Sequence, residues 1–172
     1  MSEIIIEYPE FFTATNHNWE MILRKNQYKD IIMNSLKFLV EEKRIKLFAF
    51  VLMDNHIHLI WQMLARHLRM NVKRDFLSYT AKKIKTDLLL NQPHELNNFL
   101  VNAKDRNHNF WKRNSLSIEL RTQRVFNQKL DYIHWNPVKA GLCKLPEEYY
   151  YSSALFYDTG IDNWGFLTHA NE

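Results

Sequence analysis

Residues 45–53 (IKLFAFVLM) constrain the fold more than any other stretch, because they are apolar at almost every position and not only at every second one. Such a run reads as a central strand covered on both faces. Asp54-Asn55 then breaks it with two turn formers. Residues 56–62 (HIHLIWQ) alternate, with His56, His58, Ile60 and Gln62 on one face and Ile57, Leu59 and Trp61 on the other. Two strands joined by two residues make a β-hairpin, and a hairpin with one fully buried strand needs further strands and covering helices.

The flanking sequence supplies them. Residues 11–18 (FFTATNHN) are aromatic and threonine-rich and read as a strand. Residues 26–43 place Tyr28, Ile31, Ile32, Ser35, Leu36 and Leu39 on one helical stripe. Residues 69–91 do the same with Val72, Phe76, Tyr79 or Thr80, and Ile84. Residues 91–109, rich in Asn, Asp and His, read as loop. Thr122 is an expected N-cap for a helix carrying Val125, Phe126, Leu130 and Ile133 inward, which Asn136-Pro137 ends or kinks before Gly141 closes the next turn. Strand, helix, strand, strand, helix, with another strand expected later, suits an α+β ferredoxin-like sandwich: an antiparallel sheet with helices on one face, plus a C-terminal extension.

Three glycines and four prolines in 172 residues leave no flexible linker, so residues 1–144 are expected to form one domain and 145–172 an extension packed on it. The longest unbroken apolar run, 47–53, is seven residues, against the roughly 20 of a membrane-spanning helix. The sequence MSEIIIEYPE lacks a cationic region followed by an apolar core. Cys143, the single cysteine, excludes an internal disulfide and a multi-thiolate zinc site. No membrane partner and a cytoplasmic location are therefore expected. All 23 Lys and Arg fall at or before Lys144; against 14 acids they give residues 1–144 a net +9, whereas the tail carries −5. A cationic body suits a polyanionic partner. The acidic, aromatic tail either covers the same cationic surface or caps the sheet with its acids facing water.

Two constellations carry chemistry. His56 and His58 project from one strand face about 6 to 7 Å apart at the backbone, close enough to share a divalent ion, although two polar residues on a solvent-facing strand are also common. Tyr132 and Asn136 are i and i+4 on the third helix, so a hydroxyl and an amide emerge together; the plainer reading is an amphipathic core tyrosine and a helix terminator. Trp61 and Trp135 flank the proposed centre with faces that favour core packing.

Read together, Met53-Asp54-Asn55-His56-Ile57-His58-Leu59 resembles the HUH motif (His, hydrophobic residue, His) of single-tyrosine transposases. Residues 132–142 (YIHWNPVKAGL) and 146–154 (PEEYYYSSA) resemble the tyrosine block and trailing segment of the REP-associated tyrosine transposases, relatives of the small insertion-sequence transposases. The resemblance implies a metal-dependent endonuclease and strand transferase that nicks and rejoins hairpin-bearing single-stranded DNA, with REP-like palindromes as partner, acting as a monomer or homodimer. It implies Tyr132 as nucleophile through a 5′-phosphotyrosine intermediate, and His56, His58 and Asn136 as ligands of Mg2+ or Mn2+. Asp54 stands where the family usually has Pro, and His134 competes with Asn136 for the third ligand place. Activity that depends on neutral imidazoles is expected to fall below roughly pH 6.

Basic residues interleaved with aromatics suit single strands, whose bases stack while their phosphates are neutralised. Arg66, Arg69, Lys73, Arg74, Lys82, Lys83 and Lys85 form one such group. Lys104, Arg106, Lys112 and Arg113, with Phe110 and Trp111 among them, form another. The alternatives are a DNA-hairpin-binding protein that keeps the fold without cutting, and a hydrolase of small phosphate esters that leaves the basic groups unexplained.

Overall fold

The computed structural model describes residues 7–64, 69–101 and 108–172. Its sheet has four antiparallel strands: β1 (Glu10–Thr15), β2 (Ile45–Leu52), β3 (His56–Met63) and β4 (Leu116–Glu119), in the order β2-β3-β1-β4. With helices α1 (Asn26–Glu41) and α2 (Arg69–Asn91) between them, this is the ferredoxin-like order. The α+β sandwich expected from the sequence is borne out. The Asp54-Asn55 turn closes as expected, with the Met53 amide donating to the His56 carbonyl at 2.8 Å.

The two faces of the sheet are buried differently. Phe12, Leu47, Phe50, Leu52, Ile57, Leu59 and Trp61 pack with Tyr28, Ile32, Leu36, Val72, Phe76 and Ile84 of α1 and α2. Between Tyr79 and Thr80, the α2 stripe takes Thr80, which is fully buried, and leaves Tyr79 exposed. The opposite face carries Phe11, Phe48, Ala49, Val51 and Ile60 against Phe126 and Ile133 of α4 (Gln123–Lys139). Helices therefore cover both faces, where the sequence pattern placed them on one.

A bulge between Leu47 and Ala49 explains how β2 serves both layers. The extra residue shifts the alternation by one, so that Phe48 and Ala49 both join the α4 layer.

β2 is an edge strand and not the central one its composition suggested. The C-terminal segment covers its open edge instead. Leu52 donates to the Tyr151 carbonyl at 2.9 Å, Ser153 to Phe50 at 3.0 Å and Thr168 to Leu47 at 2.9 Å. Tyr151, Trp164 and Phe166 pack on the α1 and α2 core. An edge paired this way needs the same two-sided burial as an interior strand, which is why composition alone does not separate the two cases. Two of the tail's acids serve its own backbone: Asp162 accepts from Trp164 and Leu167 at 2.9 and 2.8 Å, and Glu148 from Lys144 and Leu145 at 2.9 and 3.1 Å.

Three local expectations change. Residues 91–109 are not all loop: α3 (Pro93–Leu96) and a single 3-10 turn (Asn97–Phe99) follow α2, seating Leu96 and Phe99 in the core. β1 stops at Thr15 rather than 18, where a 3-10 turn begins at His17. Pro137 neither ends nor kinks α4 at that point. It lies in the last turn, and the helix continues because Ala140 still donates to Asn136 at 3.0 Å and Leu142 to Pro137 at 2.9 Å. Thr122 caps the helix as expected, its hydroxyl accepting from the Val125 amide at 3.2 Å. Gly141 then turns the chain at φ +74°.

Candidate functional site

The alternation of β3 sends His56 and His58 toward the α4 layer, beside Ile60 of that core. Strand register decides what stands behind each imidazole. Thr13 of β1 pairs with His58 across the ladder, and its Oγ1 lies 2.7 Å from His58 Nδ1. His56 Nδ1 lies 2.7 Å from Asn55 Oδ1. An amide oxygen accepts only, so His56 carries its proton on Nδ1. Asn136 Nδ2 donates to His58 Nε2 at 3.3 Å, which places the His58 proton on Nδ1 as well, facing Thr13. His58 is thereby held with an unprotonated Nε2 toward α4, the tautomer a metal-ligating histidine uses when its other nitrogen is tied to an acceptor.

The rings are 4.8 Å apart between centroids, tilted 71°. Phe11 stacks on His58 at 5.3 Å, and Tyr132 meets His58 edge-on at 5.3 Å. Burial is the first cause of the lowered pKa of both histidines. His58, further opposed by His56 and Lys129, is pushed down to about 3, whereas the Asn136 hydrogen bond and Asp54 partly offset the effect at His56. Neutral imidazoles beside an amide are a donor set that a divalent cation can use, the two rings through nitrogen and the amide through its oxygen.

α4 supplies the remaining groups by its period. At about 100° per residue, Asn136 returns to nearly the azimuth of Tyr132, while His134 is rotated to the far side. His134 is buried there, its Nε2 2.9 Å from Ser153 Oγ and its ring 5.3 Å from Tyr157. It lies away from His56 and His58, on the other side of α4 from Asn136. Tyr132 is 41% exposed, with Lys129 Nζ 5.5 Å and Lys139 Nζ 5.9 Å from its ring centroid.

No protein-family model matches the sequence. Over 106 residues the chain is 28% identical to a Haemophilus influenzae protein named as a REP-associated tyrosine transposase; the match covers 61% of this chain and 56% of that relative. A solved REP-associated tyrosine transposase, bound to a REP hairpin, superposes with a TM-score of 0.67 at 18% identity, covering 100% of this chain and 94% of the other. The fold is that of a REP-associated tyrosine transposase. The resemblance read from the two motifs is borne out. A Deinococcus radiodurans protein assigned as a transposase gives a TM-score of 0.50 at 15% identity, over 77% of this chain and 93% of its own.

The basic residues separate into groups within this transposase fold. Arg74, Lys82, Lys85, Lys112 and Arg113 line one cleft of about 590 Å³ with Phe110 and Trp111. Arg74 pairs with Asp75 at 3.0 Å, and Lys112 lies 4.5 Å over the exposed Trp19 ring. Lys83 stands on the neighbouring stripe, 5.7 Å over Tyr79, and does not line the cleft. Lys73 turns inward to Glu10 at 2.7 Å and Ser117 Oγ at 2.6 Å. Its charge is spent inside the fold. Arg66, Lys104 and Arg106 lie outside the described residues, as does the side chain of Arg69. The C-terminal segment runs along β2, at the far side of the sheet from β4.

Sequence reasoning missed Thr13, Phe11, Asn55, Lys129 and Lys139. Thr13 and Phe11 become visible only once β1 is registered on β3. The helical spacing of Lys129 and Lys139 around Tyr132, at i−3 and i+7, was a legible signal. Asp54 also does more than alter a turn, since it faces Lys29 Nζ at 3.4 Å and Arg24 Nε at 3.5 Å, and Lys29 is a buried cation. Trp61 is core, as expected; Trp135 is not, being 44% exposed.

Proposed function

We propose that this chain is a DNA strand transferase of the REP-associated tyrosine transposase type, which nicks and rejoins hairpin-bearing single-stranded DNA. The observation that carries the reading is Tyr132, exposed to solvent on one side and set edge-on against His58 on the other. A phenol open to a bulky substrate yet fixed against the neutral His58 imidazole suits nucleophilic attack on a phosphodiester.

His56, His58 and Asn136 would hold Mg2+ or Mn2+, which when bound neutralises the phosphodiester and orients it. The protein's own groups do the rest. Thr13 and Asn55 hold the Nδ1 side of His58 and His56 and so fix the orientation of the two rings. Phe11 packs at 5.3 Å on His58 and 5.8 Å on Tyr132, limiting their motion and excluding water between them. Tyr132 Oη forms a bond to phosphorus as the bond from phosphorus to the 3′ oxygen breaks. The phenolic proton is lost and the departing oxygen gains one, giving a 5′-phosphotyrosine and a free 3′-hydroxyl. Reversal by an incoming 3′-hydroxyl rejoins the strand. The cleft that Lys82, Lys85, Lys112 and Arg113 line, with Trp111 in its wall, suits the phosphates of the hairpin.

Incubation with labelled single-stranded hairpin DNA and Mg2+ or Mn2+ tests the proposal. A covalent adduct stable to denaturation, absent in Tyr132→Phe, is expected. An adduct of equal yield in that variant would remove Tyr132 from the role, and tight hairpin binding with no adduct in either metal would favour the non-cleaving reading.

A further inference from the structure

Apart from Tyr132, the outward face of α4 carries residues that the chemistry above does not use. Gln128, Lys129, Asp131, Tyr132, Trp135 and Lys139 line a concavity of about 360 Å³ there. Trp135 is 44% exposed, and among the described residues its ring packs on no other aromatic. A single exposed indole is ordinary on a protein surface. This one shares a depression with the proposed nucleophile, and two ammonium groups lie 5.5 and 5.9 Å from the Tyr132 ring. Tyr132 thus has two neighbourhoods, His58 and Phe11 on its inner side and this depression on its outer side, and Lys129 joins them, its Nζ 4.7 Å over the Phe11 ring.

The chemistry of the lining selects a ligand. A flat apolar ring open to solvent accepts a stacked base, and lysines on either side of Tyr132 accept phosphate charge. Asp131 and Gln128 add acceptors for exocyclic amino groups. Asp131 also opposes a bare anion, so the lining suits a nucleotide with its base better than a free phosphate. We propose that this concavity is a subsite for one unpaired nucleotide adjoining the cleaved bond, its base stacked on Trp135 and its phosphate charge met by Lys129 and Lys139. The inference rests on the reading of the chain as a single-strand nicking enzyme. It adds to that reading a determinant of which unpaired sequence beside a hairpin is cut.

The test uses the full chain and three synthetic DNAs: one hairpin alone, the same hairpin with a short unpaired 5′ extension, and the same with a 3′ extension, measured by fluorescence anisotropy. Trp135→Ala is expected to weaken one extended hairpin about ten-fold while leaving the bare hairpin unchanged, and Trp135→Phe to recover most of the loss. Lys129→Gln with Lys139→Gln should lower the salt dependence of the extended hairpin alone. An iodouracil in that extension should crosslink to the peptide containing Trp135. Equal affinities of Trp135→Ala and wild type for all three DNAs, or a crosslink to another segment, would overturn the subsite while leaving the nicking reading intact. Failure of the wild-type chain to bind any of the three would overturn the nicking reading itself, and the subsite with it.

Discussion

Thr13 and His58 face each other across the β1–β3 ladder with Oγ1 and Nδ1 2.7 Å apart, so a threonine 45 positions away in sequence anchors the ring of a histidine in the candidate metal site. Removing that acceptor while keeping the shape should show what it contributes. Thr13→Val is expected to lower Mn2+ affinity about 10- to 100-fold, the usual effect of losing such an outer partner, with Thr13→Ser close to wild type. Titration calorimetry with Mn2+ measures both, and unchanged affinity in Thr13→Val would separate the hydroxyl from the site.

The burial of His134 gives a pH dependence of stability. Its folded pKa is pushed down to about 4 by burial, from an ordinary value near 6.5. Between those values the unfolded chain binds the proton and the folded chain does not, so stability falls as pH drops from about 6.5 toward 4. His58, depressed to about 3, acts in the same direction over a wider range. Thermal unfolding followed from pH 7 to pH 4 should show Tm decreasing, with His134→Gln flattening the slope by the equivalent of about 3 kcal/mol at the acid end. A parallel slope in that variant would refute the assignment. Burial likewise lowers the pKa of His56 and His58, so both imidazoles are expected to stay neutral to a lower pH than a free imidazole.

Lys73 and the cleft lysines should behave as different kinds of residue. Lys73→Met removes the cation beside a buried Glu10, and losing a charged hydrogen-bond partner of a buried group is expected to cost about 1 to 3 kcal/mol, read from urea unfolding. Lys82→Ala, Lys85→Ala or Lys112→Ala should leave stability within about 0.5 kcal/mol. Each should reduce the slope of log affinity against log salt for single-stranded DNA by roughly 0.7. A cleft variant with an unaltered salt slope would exclude that lysine from phosphate contact.

Truncation after Lys144 exposes the β2 edge and strips Tyr151, Trp164 and Phe166 from the core. An uncovered apolar edge strand is an aggregation template, so the shortened chain is expected to be insoluble or to lack a cooperative thermal transition. Ser153→Ala probes the same seam more gently. Its hydroxyl accepts from the Phe50 amide at 3.0 Å and lies 2.9 Å from His134 Nε2, so a loss of about 1 to 3 kcal/mol is expected in urea unfolding. A stable, monomeric truncated domain would show that the edge is covered by other means.

Local chemistry was legible in the sequence wherever it depends on neighbours along the chain. Two-residue alternation placed His56 and His58 on one side of β3, the 3.6-residue period placed Tyr132 with Asn136, and Asp54-Asn55 and Thr122 marked a turn and a cap because each acts within a few residues of itself. The motif pair even indicated the transposase fold. Decisions that join distant segments were not legible. Composition cannot separate a central strand from an edge strand whose open side is covered from the far end of the chain, because both bury two faces. Nor can it register Thr13 on His58, tell Lys73 beside Glu10 from a lysine facing solvent, or show that Trp135 stays exposed. Those outcomes depend on which surfaces meet after the sheet closes, and burial, hydrogen-bond partners and pKa follow from that meeting alone.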